Sequence, residues 1–224
     1  MSERILILGG TKEAAALAKQ LVDQGHHPVT SLAGRTRDPR PLAGDVRFGG
    51  FGGAEKMADW LVENNIEKVI DATHPFATQI SANAKLACEL ASIELETNNR
   101  PPWQKTSADI WINCATLEEA VSAIPQNARV FLALGSQHLD DFVHQRSVHF
   151  VIRMIDPPAE PLPFKHYDLI TGYPASDWAQ EKKLLLEHQI THIVCRNSGG
   201  SGAYAKIEAA RALKIPVIMI EMPA

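Results

Sequence analysis

Cysteine is scarce: the 224 residues hold three, Cys88, Cys114 and Cys195, widely spaced and odd in number. That pattern offers no disulfide frame and no zinc-ligand spacing, and it suits buried, reduced thiols. Histidine is plentiful at nine, but His188 and His192 form the only i,i+4 pair, and strand-like Ile193-Val194 implies that the helix has ended between them. No metal site is expected. Basic charge shows no excess either, since 22 Lys and Arg against 26 Asp and Glu leave a net charge of -4. A nucleic-acid binder normally needs the opposite balance to neutralise phosphates, so no nucleic-acid partner is expected. No apolar run approaches the roughly 18 residues of a membrane span. The opening Met1-Ser2-Glu3-Arg4 and its four following apolar residues are too short and too acidic for a secretory signal. A cytoplasmic location without membrane contact is the expectation. Disorder is also disfavoured, because 45% hydrophobic and 21% charged residues is an ordinary globular balance.

What is present is alternation. Apolar runs of strand length alternate with amphipathic helical stretches, which points to an α/β protein with parallel sheets covered by helices. Strands are expected over 5–8, 29–33, 46–48, 68–72 and 93–95. Helices are expected over 11–24, with Ala15, Leu17, Ala18, Leu21 and Val22 inward, over 54–64, and over 75–91 with Pro75 in the first turn. Residues 97–108 hold Asn98-Asn99, Pro101-Pro102 and Trp103 without periodicity and read as a linker. The expected domains are therefore 1–98 and 99–224. A second series follows: strands at 110–114, 129–134, 148–155, 167–171, 192–195 and 217–220, and helices at 117–124, 139–144, 177–188 and 203–213.

Five glycine-bearing or polar turns follow strands, and four of them lead into a helix. Gly9-Gly10-Thr11 follows the first strand, where glycines permit a tight turn and free helix amides can face a phosphate. It is not a complete G-x-G-x-x-G, and the competing reading is a plain βα turn capped by Thr11. After the second strand stand Gly34-Arg35-Thr36-Arg37. If a dinucleotide binds, Arg35 helped by Ser31 and Thr36 favours the extra phosphate of NADP, because no carboxylate occurs before Asp38; the competing reading is a solvated arginine. Gly49-Gly50-Phe51-Gly52-Gly53 is either a close approach to a ligand at Gly50 and Gly52 or a left-handed connection. Asp71-Ala72-Thr73-His74 ends the fourth strand at the edge where parallel sheets bind ligands, although Thr73 could instead cap a helix. Arg196-Asn197-Ser198-Gly199-Gly200 is a second glycine-rich crevice or an ordinary loop, and Lys206 beyond it binds an anion or solvates a helix surface.

Taken together, these segments resemble the precorrin-6A reductase family. The similarity rests on Leu8-Gly9-Gly10-Thr11 with Glu13-Ala14, Ala33-Gly34-Arg35, Gly49-Gly50-Phe51-Gly52-Gly53, and Asp71-Ala72-Thr73-His74-Pro75-Phe76-Ala77. It continues through Arg100-Pro101-Pro102-Trp103 and Asn197-Ser198-Gly199-Gly200. Arg196 departs from the lysine expected before the last block, exchanging a point charge for a bidentate one. The resemblance implies two Rossmann-like domains with the active site in the cleft between them, the first binding NADPH and the second completing the substrate cleft. It implies hydride transfer to precorrin-6A, giving precorrin-6B, in cobalamin biosynthesis, or the same reaction on the cobalt-bearing ring. Cofactor contacts are expected from Gly9, Gly10, Thr11, Ser31, Gly34, Arg35, Thr36, Gly50, Gly52, Thr73, Asn197, Ser198, Gly199 and Gly200. His74 is the candidate proton donor. Arg37, Arg100, Arg153, Arg196 and Lys206 are the candidate cations for the carboxylates of the tetrapyrrole, chosen for their place near strand ends. Neighbouring pathway enzymes are conceivable partners. Two rivals stand beside this reading. A short-chain dehydrogenase would need Tyr-x-x-x-Lys, but Tyr167, Tyr173 and Tyr204 are followed at that spacing by Thr171, Asp177 and Glu208. A non-catalytic NADP sensor would need only the N-terminal half.

Overall fold

The run Arg4–Leu8 forms strand β1, and Ile5 to Leu8 are all buried. A strand covered on both faces has no use for polar alternation, so its residues read as a continuous apolar run. The alternation survives in the packing. Ile5 and Ile7 join Ala14, Ala18, Leu21 and Ile70 on one face, while Leu6 and Leu8 join Met57, Leu61, Val69, Ala84 and Cys88 on the other. This computed structural model describes residues 2–34, 36–37, 39–98 and 100–223.

Following β1 come α1 (Lys12–Asp23), β2 (His27–Leu32), β3 (Asp45–Phe48), α2 (Ala54–Glu63), β4 (Lys68–Asp71), α3 (Thr78–Ala91) and β5 (Glu94–Thr97). They build a five-stranded sheet in the order β3-β2-β1-β4-β5. All its pairings are parallel. Helix α1 covers the Ile5–Ile7 face, and α2 and α3 cover the other. The inward stripe of α1 is Ala14, Ala18 and Leu21, spaced i, i+4, i+7, whereas Val22 is 40% exposed and does not belong to it. Helix α3 starts three residues later than Pro75 suggests. The amide of Ala77 donates to the carbonyl of His74 at 2.7 Å, so residues 74–77 form a turn of their own.

The second series comprises β6 (Trp111–Cys114), α4 (Leu117–Ser122), β7 (Arg129–Ala133), a 3₁₀ turn (Asp140–Phe142), β8 (His149–Met154), β9 (Tyr167–Thr171), α5 (Trp178–Glu187), β10 (His192–Arg196), α6 (Ala205–Leu213) and β11 (Val217–Ile220). Its six strands are again all parallel, in the order β6-β11-β10-β7-β8-β9. Helices α5 and α6 pack through Leu185, Ile207, Ala209 and Ala210 onto Phe131, Val151, Ile193, Cys195, Val217 and Met219. The chain divides into two compact units, Met1–Arg100 and Pro101–Ala224, each with one Rossmann-like sheet.

Within the second unit a buried ion pair fixes α5 against β8. The two terminal nitrogens of Arg153 meet the two carboxylate oxygens of Glu181 at 2.9 and 3.0 Å. Glu181 is 1% exposed and also accepts the amide of Ala175 at 2.9 Å. Removing one partner of such a pair strands a buried charge. Glu181→Ala should therefore lower the unfolding free energy in urea by about 3–5 kcal/mol. Lys183→Ala on the exposed side of α5 should change it by about 0.5 kcal/mol or less. Equal, small effects of the two substitutions would show that the buried pair does not stabilise the unit.

Candidate functional site

In the first sheet the chain leaves β1 towards β2 on one side, and β4 lies on the other, so the loops at their carboxyl ends diverge and open a crevice. Gly9 lies where side chains cannot go: a Cβ there would stand 2.6 Å from Cγ2 of the buried Thr30. Its amide donates to the Ser31 carbonyl at 3.0 Å, extending the β1–β2 ladder into the turn. Gly10 has φ +104°, and a Cβ placed on it would meet nothing within 4 Å. Its outer face is open space. Thr11 then bridges the crevice, its hydroxyl donating to the Ala72 carbonyl at 2.8 Å and accepting the Ala14 amide at 3.1 Å. The amides of Lys12 and Glu13 have no partner within the helix and mark the positive end of α1.

Across the crevice, the β4 loop is organised by Asp71, which is buried. Its Oδ1 accepts both the amide of Thr73 at 3.0 Å and its hydroxyl at 2.7 Å. Thr73 is thus engaged with Asp71 and caps no helix. Arg100 reaches the same loop, meeting Glu13 at 2.8 Å and the Thr73 carbonyl at 3.4 Å. The half-buried His74 accepts the Phe76 amide at Nδ1, at 3.3 Å, so the neutral ring carries its proton on Nε2.

At the ends of β2 and β3 the structure brings in a residue that the sequence reading passed over. One terminal nitrogen of Arg47 donates to the Ser31 hydroxyl at 2.7 Å and to the Gly49 carbonyl at 3.1 Å, and the other to the Gly50 carbonyl at 3.3 Å. Its guanidinium lies 3.8 Å from the ring centre of Phe51, which packs edge-on against Trp60. Partial burial lowers the pKa of Arg47 from its ordinary value. Gly34, Gly49, Gly52 and Gly53 all have positive φ, and Gly50 faces open space. Thr36 is half-buried and Arg37 exposed on the loop after β2. Arg35, the residue expected to read the ribose phosphate, lies outside the described residues.

The second sheet has its own divergence between β10 and β7. Residues 197–200 follow β10, and Gly135, at φ +75°, follows β7. The side chain of Asn197 is already committed: Oδ1 accepts the Trp103 amide at 2.7 Å and Nδ2 donates to the Trp103 carbonyl at 3.0 Å. The Trp103 indole donates to the Gly200 carbonyl at 2.7 Å. Asn197 is therefore a fastener of the loop, and Ser198 is buried with it, while Gly199 and Gly200 are both left-handed at φ +61° and +65°. A cavity of about 420 Å³ opens beside them, lined among others by Trp103, Ser201, Tyr204 and Glu208. Arg196 ends β10, and burial lowers its pKa.

Two expected cations are engaged inside the second unit. Lys206 is not a helix-surface residue: it is 5% exposed, its ammonium donating to the Ala203 carbonyl at 2.7 Å and lying 5.0 Å from the Trp103 ring centre. Desolvation lowers its pKa, against the opposing pull of Cys195 and Glu181. Arg153 lies near the end of β8, as its sequence context implied, but its fork is taken by Glu181.

Comparison with known proteins gives these turns a common context. The family model described as precorrin-6x reductase CbiJ/CobK matches residues 4–224. The chain belongs to the precorrin-6x reductase family. A precorrin-6A reductase from Rhodobacter capsulatus is 46% identical over 222 residues, covering 99% of this chain and 88% of its own. A cobalt-precorrin-6A reductase from Priestia megaterium is 28% identical over 234 residues, covering 98% and 90%. A solved structure titled CobK precorrin-6A reductase superposes with a TM-score of 0.96 at 45% identity, covering 100% of this chain and 89% of that one. As a member of this family the chain is an oxidoreductase of cobalamin biosynthesis, a chemistry that draws on a nicotinamide cofactor.

For a precorrin-6x reductase, the pairing of the Arg-Pro-Pro-Trp and Asn-Ser-Gly-Gly segments has a direct structural cause. Trp103 and Asn197 hold one another through two hydrogen bonds, and the Trp103 indole adds a third to Gly200. Arg47 gave no such signal, because a lone arginine in a short strand looks like any solvated residue. Among the described residues no helix is long and apolar enough to cross a membrane. The open face and positive φ of Gly10 give a sharp test. Gly10→Ala strains the backbone by about 1–2 kcal/mol, and its methyl enters the space above the turn. The variant should stay folded in a thermal melt yet lose most of its affinity for dinucleotide in calorimetry. Unchanged affinity would remove this turn from the binding site.

Proposed function

We propose that this chain reduces precorrin-6A to precorrin-6B at the expense of NADPH. The observation that carries the reading is the crevice between β1 and β4, which combines an open glycine turn, a helix N-terminus and a family match over residues 4–224. Bound NADPH supplies the hydride. The groups present fit such a cofactor: the Gly10 face is open, the first amides of α1 suit a pyrophosphate, and the end of β2 carries positive charge and no carboxylate among its described residues.

In this reading Gly9, Gly10 and Thr11 cradle the pyrophosphate. Ser31, Gly34, Arg35, Thr36, Gly50 and Gly52 surround the adenosine ribose. Thr73 completes the cofactor contacts of the first unit, and the backbone of 197–200 is assigned as a ligand-facing turn of the second. Arg37 and Arg196 are the cations assigned to the carboxylates of the macrocycle. Arg100 contributes through Glu13 and the Thr73 carbonyl by holding the β4 loop. Arg153 and Lys206 support the second unit from inside. His74, protonated to the imidazolium, donates to the ring carbon next to the one that receives hydride and is left as the neutral ring.

The metal-free ring is favoured over its cobalt form, because the precorrin-6A reductase of Rhodobacter capsulatus shares 46% identity with this chain and the cobalt-precorrin enzyme of Priestia megaterium 28%. Anaerobic absorbance spectroscopy with NADPH and metal-free precorrin-6A should show stoichiometric loss of NADPH with conversion of the macrocycle. NADPH binding without turnover would transfer the assignment to the cobalt-bearing ring, and failure of both substrates would leave a dinucleotide sensor. With turnover established, His74→Asn should lower kcat by about 100-fold or more. An unchanged kcat would assign the proton to solvent.

A further inference from the structure

Arg47 is a cation whose position is fixed before any ligand arrives. Three of its five N–H donors are used by Ser31, Gly49 and Gly50, leaving two among the described residues. Stacking on Phe51 at 3.8 Å, with Trp60 at 5.2 Å, restrains the plane of the guanidinium. Ser31 pairs in register with Arg47 across the β2–β3 ladder, so the guanidinium stands at the carboxyl end of β2. In parallel sheets that bind dinucleotides this is the place of the adenosine ribose, where a carboxylate selects the free 2′-hydroxyl and an arginine accommodates a 2′-phosphate.

We infer that Arg47 is the residue by which this chain selects a 2′-phosphorylated dinucleotide over its unphosphorylated counterpart. The inference rests on the dinucleotide reading of the β1–β4 crevice and adds the source of its selectivity. Arg47 acts in two ways. Its charge and remaining donors meet the phosphate dianion, and its bonds to the Gly49 and Gly50 carbonyls fix the glycine loop beside the ribose. Partial burial strengthens the first effect, since an ion pair outside bulk water is less screened. Fixing the arginine in advance reduces the side-chain ordering that binding would otherwise cost.

A merely structural arginine would affect both cofactors alike, so the informative quantity is a ratio. Calorimetric titration of the full chain with NADP⁺, NAD⁺, 2′,5′-ADP and 5′-AMP gives it without any turnover. Arg47→Ala should weaken NADP⁺ and 2′,5′-ADP by about 10- to 100-fold, the range of a hydrogen bond to a charged group. NAD⁺ and 5′-AMP should change less than about threefold. Arg47→Lys, which keeps the charge but not the fork, should recover part of the discrimination and covers the case in which the alanine variant does not fold. Equal weakening of phosphorylated and unphosphorylated ligands by both variants would overturn the inference and leave Arg47 a loop support. If the unaltered chain binds none of the four, the dinucleotide reading itself fails and takes the inference with it. If it binds NADP⁺ and the variants bind it equally well, only the role of Arg47 fails.

Discussion

Every strand of both sheets runs parallel to its neighbours, and that constraint decides where chemistry can sit. Parallel strands need long crossovers, the crossovers here are mostly helices, and the loops that enter those helices gather at one edge of each sheet. Gly9-Gly10-Thr11, Arg47 with Gly49-Gly50, and Asp71-Thr73-His74 are far apart in sequence but end three strands at the same edge of one sheet. The buried apolar strands supply the rigidity on which those loops are carried. Ile5 to Leu8, at 2% exposure or less, are the centre of that support in the first unit.

A rigid edge would still leave loose loops, and in this chain polar side chains fasten them. Thr11 is tied to Ala72, Thr73 to Asp71, Arg100 to Glu13, and Arg47 to Ser31 and the glycine loop. In the second unit Asn197 and Trp103 do the same for the loop after β10. Each fastener satisfies polar groups that burial would otherwise leave unpaired, so the same bonds that stabilise the loops also fix their shape. Asp109 shows the electrostatic side of this design. Burial alone would raise its pKa, but bonds from Arg211 and Thr106 outweigh that and hold the carboxylate below its ordinary range. Its stabilising contribution is present above the unfolded carboxylate pKa near 4 and is lost as pH falls through the lower folded value.

Most of the architecture was legible because apolar runs and helical stripes are local signals. Tyr167–Thr171 and Val217–Ile220 are strands at the expected bounds, and the expected helix over 54–64 appears as Ala54–Glu63. The start of α3 was not legible. Pro75 resembles a first-turn proline, but the bonds from Thr73 to Asp71 and the turn at 74–77 occupy the chain until Thr78. The partners of charged side chains were not legible either. Arg153 and Glu181 are 28 residues apart, and Lys206 is buried by packing over Trp103; neither relation leaves a periodic trace. Asn197 stands in a glycine-rich loop, and the partner of its side chain, Trp103, lies 94 residues away. Arg47 shows the converse: its environment is made by Ser31, Phe51 and Trp60, and only the folded sheet brings them together.

The central claim is that the carboxyl edge of the first sheet holds the dinucleotide. Amide hydrogen exchange with and without NADPH tests it segment by segment in the intact chain. The account predicts slowed exchange over 9–14 and 47–53 on addition of NADPH, with little change in α5 and β9. Protection confined to other segments, or none despite measurable binding, would contradict it.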